Sequence, residues 1–144
     1  MKFANTTNVQ STIEIYAKIQ KITGIEFDEI DEALPVLHIP SSQLIRVLTV
    51  LNNNNDLSYK RLIDIVFIER LYKSKFFEIN YIIMSNIYNN HLNVCINIEE
   101  NGQINSVEHI YKSAYYRECE IMELLGIEIL NNKKFRKLIT KRTL

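Results

Sequence analysis

A chain of 144 residues with 47% apolar residues can form one domain with a substantial core, which excludes wholesale disorder. Its 17 Lys and Arg balance 17 Asp and Glu, so no net charge attracts nucleic acid, and no apolar run reaches the roughly 20 residues that span a bilayer. The N-terminus has no signal peptide or amphipathic presequence, so we expect a soluble chain that works in the compartment where it is made.

In chain order, the first predicted elements are a helix and a hairpin. Residues 1–10 lack a hydrophobic period and are expected to be a flexible lead-in. Ser11 and Glu14 form the pattern of a capping box, and Gly24 is expected to end the helix. The apolar residues between them have helical spacing: Ile13, Tyr16, Ala17, Ile19 and Ile22. The short apolar segments 25–30 and 34–39 flank an acidic pair and predict a hairpin.

The middle of the chain predicts a second helix and three strands. Residues 40–51 repeat apolar side chains with a helical period, and the asparagine tract 52–55 is expected to end that helix. Residues 62–68 are almost continuously apolar, which is typical of a strand covered on both faces. Segments 76–84 and 91–98 flank an asparagine-rich reversal and predict two further strands.

The predicted order α-β-β-α-β-β-β-α is that of a single α+β domain with a mixed sheet of about five strands. Asn101 and Gly102 predict a turn, and Ser106 is expected to cap a short helix that ends at Tyr111. We place the domain at residues 11–130. Residues 131–144 are basic, with interleaved apolar side chains, and are expected to form an extended docking tail.

Residues 114–127 are the most informative stretch. At about 100° per residue, an apolar stripe forms on one side of a helix, and Glu118 lies within that stripe. The stripe contains Ala114, Ile121, Leu124 and Leu125. Tyr116, Glu120 and Glu123 share the opposite side, and Gly126 is placed to end the helix in a left-handed conformation.

Glu118 is expected to be buried and paired, because a carboxylate among apolar neighbours costs several kcal/mol unless a cation or hydrogen-bond donors meet it. The candidate partners are Arg136, Arg70 or a cation on another subunit. A solvated surface role and a catalytic role are the weaker alternatives.

Other chemistry is poorly supported by the spacing. Glu118 and Glu120 point about 160° apart on a helix, which disfavours a shared metal ion. The three histidines lie on separate predicted elements: His38, His91 and His109. Cys95 and Cys119 have no partner at metal-ligand or redox spacing, and we expect free thiols in a reducing compartment. No glycine-rich phosphate loop or CxxC pair occurs.

The region 106–140 resembles the signature of the 30-kDa subunit of respiratory complex I, which is lettered C in bacteria and numbered 9 in mitochondrial genomes. That family has the pattern E-R-E-x-x-[DE], two apolar residues, G-I, and then a basic apolar segment. The matching residues here are Glu118, Glu120, Glu123, Leu124, Leu125, Gly126, Ile127, Phe135, Arg136, Lys137, Leu138 and Ile139. Cys119 replaces the family's arginine and Tyr116 its usual tryptophan, so the chain resembles a divergent and shortened member.

The resemblance implies an α+β subunit of the peripheral arm that binds no FMN, iron–sulfur cluster or metal itself, since other subunits carry those cofactors. It implies an obligate hetero-oligomer whose partners are the 49-kDa quinone-site subunit and other peripheral-arm subunits, without nucleic acid and without a membrane span. The implied interface residues are Tyr116, Glu118, Glu120, Glu123, Gly126, Ile127, Phe135, Arg136 and Lys137.

Codon bias bears on the location. Asn, Ile, Lys and Tyr are over-used, which fits an A/T-rich genome. We expect a peripheral position on the matrix side of the mitochondrial inner membrane, or alternatively on the cytoplasmic side of a bacterial inner membrane. Two other functions remain open, namely the equivalent scaffold subunit of a membrane-bound hydrogenase and a small enzyme that uses the acidic helix in acid–base catalysis.

Overall fold

The computed structural model describes residues 2–26 and 35–131, with side chains described from residue 13 onwards. A short 3-10 turn, Ser41–Gln43, precedes the second helix. The helices and strands are α1 Lys2–Thr23, β1 Val36–His38, α2 Leu44–Asn53, β2 Arg61–Tyr72, β3 Ser74–Met84, β4 His91–Glu99, β5 Gln103–Asn105, α3 Ala114–Leu125 and β6 Glu128–Leu130.

The main sheet is mixed and has the strand order β1-β4-β3-β2. Strands β2, β3 and β4 form an antiparallel meander, whereas β1 lies parallel to β4 with Leu37 opposite Val94. Strands β5 and β6 form a separate two-stranded parallel sheet. The α+β class and the mixed sheet predicted from the sequence are therefore confirmed.

One hydrophobic cluster joins apolar side chains of the three helices to one face of the main sheet. On β3 this face carries alternate residues, including Ile79 and Tyr81, as expected for a strand whose side chains alternate between faces. Each fully buried Leu, Ile or Val side chain contributes about 1.5–3 kcal/mol to folding. The opposite face of the sheet carries the polar side chains Asn80 and Asn93.

Two predictions about the first helix are wrong. Helix α1 begins at Lys2, so Ser11 does not start it and residues 2–10 belong to the helix. Its buried side includes Ile15 and Tyr16, whereas Ile13 is 55% exposed. The helix presents a stripe shifted from the predicted one, because the packing partners, and not the spacing alone, select the buried side. Gly24, with a φ of 72°, ends the helix as predicted.

The predicted hairpin of residues 25–30 and 34–39 is only partly covered, because residues 27–34 lie outside the described residues. Its second segment contains β1. That strand pairs with β4, far away in the sequence, in a parallel register that no local pattern can indicate.

The prediction that β2 is covered on both faces is wrong. The strand lies at the edge of the main sheet, and among its twelve residues only Ile65 is fully buried. Ile63 and Ile68 are 44% and 38% exposed, respectively. A continuous apolar run can therefore mark an exposed surface as well as a two-sided core.

The connection between β4 and α3 contains one confirmed turn and one error. Asn101 has a φ of 64°, and a Cβ on Gly102 would lie 2.8 Å from the Glu99 carbonyl oxygen, so glycine is required there. The short helix predicted between Ser106 and Tyr111 is instead a hydrogen-bonded turn. Strands β5 and β6 flank this region and α3, and neither was predicted.

Candidate functional site

Helix α3 has the boundaries that its sequence predicts. It runs from Ala114 to Leu125 and ends at Gly126, which adopts a left-handed φ of 69°. The Gly126 N–H donates a hydrogen bond of 3.0 Å to the Met122 carbonyl oxygen. A glycine in this conformation ends a helix without the steric cost that a Cβ would impose.

Glu118 is buried, as predicted, with only 1% of its surface exposed. The Ser106 hydroxyl donates to its Oε1 at 2.6 Å, and the Val107 backbone N–H donates to its Oε2 at 2.9 Å. These donors are neutral groups of the same chain. The candidate partner Arg136 lies outside the described residues, and the side chain of Arg70 pairs with Glu78 at 3.2 Å.

The hydrogen bonds of Glu118 fix the segment between β5 and α3. The Ser106 hydroxyl also accepts a hydrogen bond of 3.1 Å from the Glu108 N–H, and the Ser106 N–H donates 2.8 Å to the Leu130 carbonyl oxygen. The carboxylate therefore joins the middle of α3 to the turn and the small sheet. Its first effect is to hold α3 in a defined position.

The buried hydroxyl of Tyr81 lies in the same region. It makes no hydrogen bond within the part of the chain that the structure describes. Burial raises the pKa of Tyr81, and the negative charge of Glu118 adds to that shift. The inner side of α3 therefore faces a poorly solvated environment.

Arg117 attaches the outer side of α3 to the edge strand, a role that the sequence analysis missed. Its Nε donates to the Ile65 carbonyl oxygen at 2.8 Å and lies 3.3 Å from an Asp64 carboxylate oxygen. Its Nη1 donates to the Glu120 carboxylate at 2.7 Å, and its guanidinium lies 5.7 Å from the centre of the Phe67 ring. The spacing between Arg117 and Glu120 was the available sequence signal for this ion pair.

The exposed surface of α3 and the start of β2, hereafter the α3–β2 face, combines apolar and acidic groups. Tyr116, Leu124 and Ile63 are 77%, 68% and 44% exposed, and Glu120 and Glu123 are also exposed. The exposure of Leu124 corrects its predicted place in the buried stripe. A cleft of about 240 Å³ lies on this face, lined by Leu62, Ile63, Asp64, Ile65, Ser113, Tyr116, Arg117 and Glu120. It is smaller than the roughly 300–1,000 Å³ of typical small-molecule pockets.

The structure divides the predicted interface residues into two groups. Tyr116, Glu120 and Glu123 share the exposed side of α3, whereas Glu118 and Ile127 are buried within the chain. Gly126 is exposed at the end of the helix. The remaining three, Phe135, Arg136 and Lys137, lie outside the described residues, so their part in an interface stays a prediction.

A second group of chemically active side chains lies on the main sheet. His38 of β1, Glu78 of β3 and Cys95 of β4 place their ligand atoms within 4.8 Å of one another. Burial raises the pKa of the Cys95 thiol to about 12, and the nearby Glu78 carboxylate contributes to that rise. Sequence spacing could not reveal this group, because strand pairing brings the three residues together.

The fold is shared with a chain of a known membrane assembly. A chain of the membrane-bound sulfane sulfur reductase, described as an archaeal respiratory membrane complex, superposes with a TM-score of 0.73 and 19% sequence identity. The match covers 84% of this chain and 71% of that one. The architecture is thus that of a protein that occurs as a component of a larger respiratory assembly. Among the described residues, no helix is long and apolar enough to cross a membrane.

Residues 37–144 match the family described as "Respiratory-chain NADH dehydrogenase, 30 Kd subunit". The chain belongs to this family. NADH-ubiquinone oxidoreductase subunit 9 of Reclinomonas americana is 28% identical over 72% of this chain and 51% of its own length. A NADH-quinone oxidoreductase subunit of a Wolbachia species from Brugia malayi is 25% identical over 85% of this chain and 64% of its own length. The chain therefore spans about half to two thirds of these relatives.

Proposed function

We propose that this chain is a non-catalytic peripheral-arm subunit of proton-pumping NADH:quinone oxidoreductase, complex I, and that it braces the 49-kDa subunit which shapes the quinone pocket. The observation that carries the proposal is the α3–β2 face. Exposed aromatic and aliphatic side chains next to charged residues are typical of protein interfaces, and this face contains Tyr116, Leu124 and Glu120.

The attachment of α3 supports a bracing role. Glu118 holds the helix from its inner side, and Arg117 holds it to β2 from its outer side. A surface fixed in this way loses little conformational entropy when a partner binds, so more of the contact energy appears as affinity. The helix acts as a preformed contact surface for the 49-kDa subunit.

We assign the chemistry of complex I to other subunits, which carry FMN and the iron–sulfur clusters. Glu118 is enclosed by the chain's own donors, and the cleft beside α3 is small, which weighs against the small acid–base enzyme. The equivalent subunit of a membrane-bound hydrogenase keeps some support, because this fold also occurs in a respiratory assembly that is not named as an NADH dehydrogenase.

The proposed position is peripheral. Relatives carry both the ubiquinone and the quinone form of the oxidoreductase name, which fits the matrix side of the mitochondrial inner membrane or the cytoplasmic side of a bacterial one. In either case, the chain functions as an obligate part of a hetero-oligomer.

The test is co-purification of the tagged full chain with a co-expressed 49-kDa subunit. The variant Leu124→Asp introduces a charge at the α3–β2 face and is expected to weaken binding at least about tenfold, as for a central interface contact. Ile87→Asp is the matched control, because Ile87 is 52% exposed but lies in the turn between β3 and β4.

Equal binding by both variants would remove the α3–β2 face from the interface. Failure of the unmodified chain to retain the 49-kDa subunit would refute the bracing role itself. A nickel-containing neighbour in the native assembly, identified by mass spectrometry and metal analysis, would favour the hydrogenase alternative.

A further inference from the structure

We propose that His38, Glu78 and Cys95 form a three-ligand site for a zinc-class divalent metal ion on the main sheet. Their ligand atoms, one nitrogen, one carboxylate oxygen and one sulfur, lie within 4.8 Å of one another. Nitrogen, oxygen and thiolate ligands are the donors that Zn²⁺ takes in proteins. The site lies on the sheet and is separate from the α3–β2 face.

Strand pairing builds this arrangement. His38 and Cys95 are direct partners in the parallel β1–β4 pair, and the Ile39 N–H donates 3.0 Å to the Cys95 carbonyl oxygen beside them. Glu78 stands on β3, two residues from Asn80, which is the direct partner of Cys95. Diagonal neighbours at this offset on one face of a sheet are within reach of each other's side chains.

The position of Cys95 is unusual for a cysteine that serves only in packing. It is 1% exposed but is absent from the hydrophobic cluster, which contains its strand neighbours Val94 and Ile96. Its side chain therefore projects to the opposite, polar face of the sheet, as the alternation of a strand requires. There it meets Glu78 and His38.

The geometry needs only a small adjustment to hold an ion. With metal–ligand bonds of about 2.0–2.3 Å, tetrahedral ligand atoms stand about 3.3–3.8 Å apart. His38 is exposed, and its ring can move towards the other two ligands. Arg70 contacts Glu78 through Oε2 at 3.2 Å, which leaves Oε1 for the metal.

Three protein ligands leave a fourth position for water or for a group from a partner. Such an ion would also fasten β1, which is only three residues long, to the centre of the sheet. Because metal bound only to the folded chain shifts the folding equilibrium, zinc is expected to raise the unfolding temperature.

Titration of the metal-free, reduced full chain with Co²⁺ tests the proposal, because Co²⁺ reports its ligands by absorption. We expect visible bands of a tetrahedral ion, a thiolate-to-cobalt charge-transfer band in the near ultraviolet, and their loss on addition of zinc. Glu78→Gln and His38→Gln are each expected to weaken binding at least about tenfold, and Cys95→Ser is expected to abolish the charge-transfer band.

His91→Gln is the matched control, because His91 is also an exposed histidine of the main sheet. It is expected to bind Co²⁺ as the unmodified chain does. His38 is exposed, so its variant stays informative even if Cys95→Ser fails to fold. Absence of the charge-transfer band in the unmodified chain, or equal affinity of the His38→Gln and His91→Gln variants, would overturn the proposal.

Discussion

Replacement of Glu118 measures how far one buried carboxylate holds α3 in place. Glu118→Ala removes the acceptor of two hydrogen bonds and leaves the Ser106 hydroxyl and the Val107 N–H buried without that partner. Each orphaned donor costs about 1–3 kcal/mol, and the loss of one member of a buried charged contact typically costs about 3–5 kcal/mol in total. We therefore expect the free energy of unfolding to fall by about 3–5 kcal/mol.

Glu118→Gln is a milder change. The amide keeps the volume of the side chain, its oxygen can accept from the Val107 N–H, and its nitrogen can donate to the Ser106 oxygen. The expected loss is about 1–2 kcal/mol, because two charge-assisted hydrogen bonds become neutral ones.

Urea denaturation followed by circular dichroism measures these losses, with Glu120→Gln as the control. Glu120 is on the same helix but is exposed, and its pair with Arg117 is worth at most about 1 kcal/mol. The expected order of destabilisation is Glu118→Ala, then Glu118→Gln, then Glu120→Gln, at a constant dependence on urea. A loss for Glu118→Ala no larger than that of the control would refute the anchoring role of this carboxylate.

Two further predictions concern the contacts on either side of α3. Arg117→Leu is expected to lower the free energy of unfolding by about 1–2 kcal/mol, because the Ile65 carbonyl loses its guanidinium donor, and to speed amide exchange in β2; unchanged exchange in that strand would contradict the attachment. Burial raises the pKa of Tyr81, so unfolded Tyr81 ionises above a pH of about 10 while the folded residue stays protonated, and stability that is complete below that pH is lost as the pH rises. Tyr81→Phe removes a hydroxyl without a hydrogen bond in the described structure, so it is expected to change stability by less than about 1 kcal/mol at neutral pH and to reduce the alkaline loss; an identical alkaline loss in both proteins would count against this account.

Local patterns in the sequence predicted the elements whose boundaries depend on local chemistry. Helix α2, strands β3 and β4 and the glycine end of α3 all lie where periodicity and turn residues place them. Pairing between distant segments has no such signal. For that reason the parallel partners of β1 and β5, and the edge position of β2, emerged only from the structure.

The candidate site shows the same division. The burial of Glu118 follows from its place in an apolar stripe, but its donors come from a turn that the sequence suggested was a helix. Leu124 shares that stripe by angle and still lies on the surface, because no described element covers its end of α3. The proximity of His38 to Cys95 depends on a strand register and carries no trace in residue spacing.

The edge position of β2 has a consequence for the chain when it stands alone. Among residues 2–26 and 35–131, no strand pairs with the outer side of β2, so its free amides and carbonyls can template cross-β association with other copies. Two features oppose this: the bulge between Leu62 and Asp64 breaks the regular register, and Arg117 occupies the Ile65 carbonyl. Beyond Phe67 this protection ends, and the strand's last residues, with Leu71 and Tyr72 largely exposed, are the place where aggregation of a surplus, unassembled chain would start.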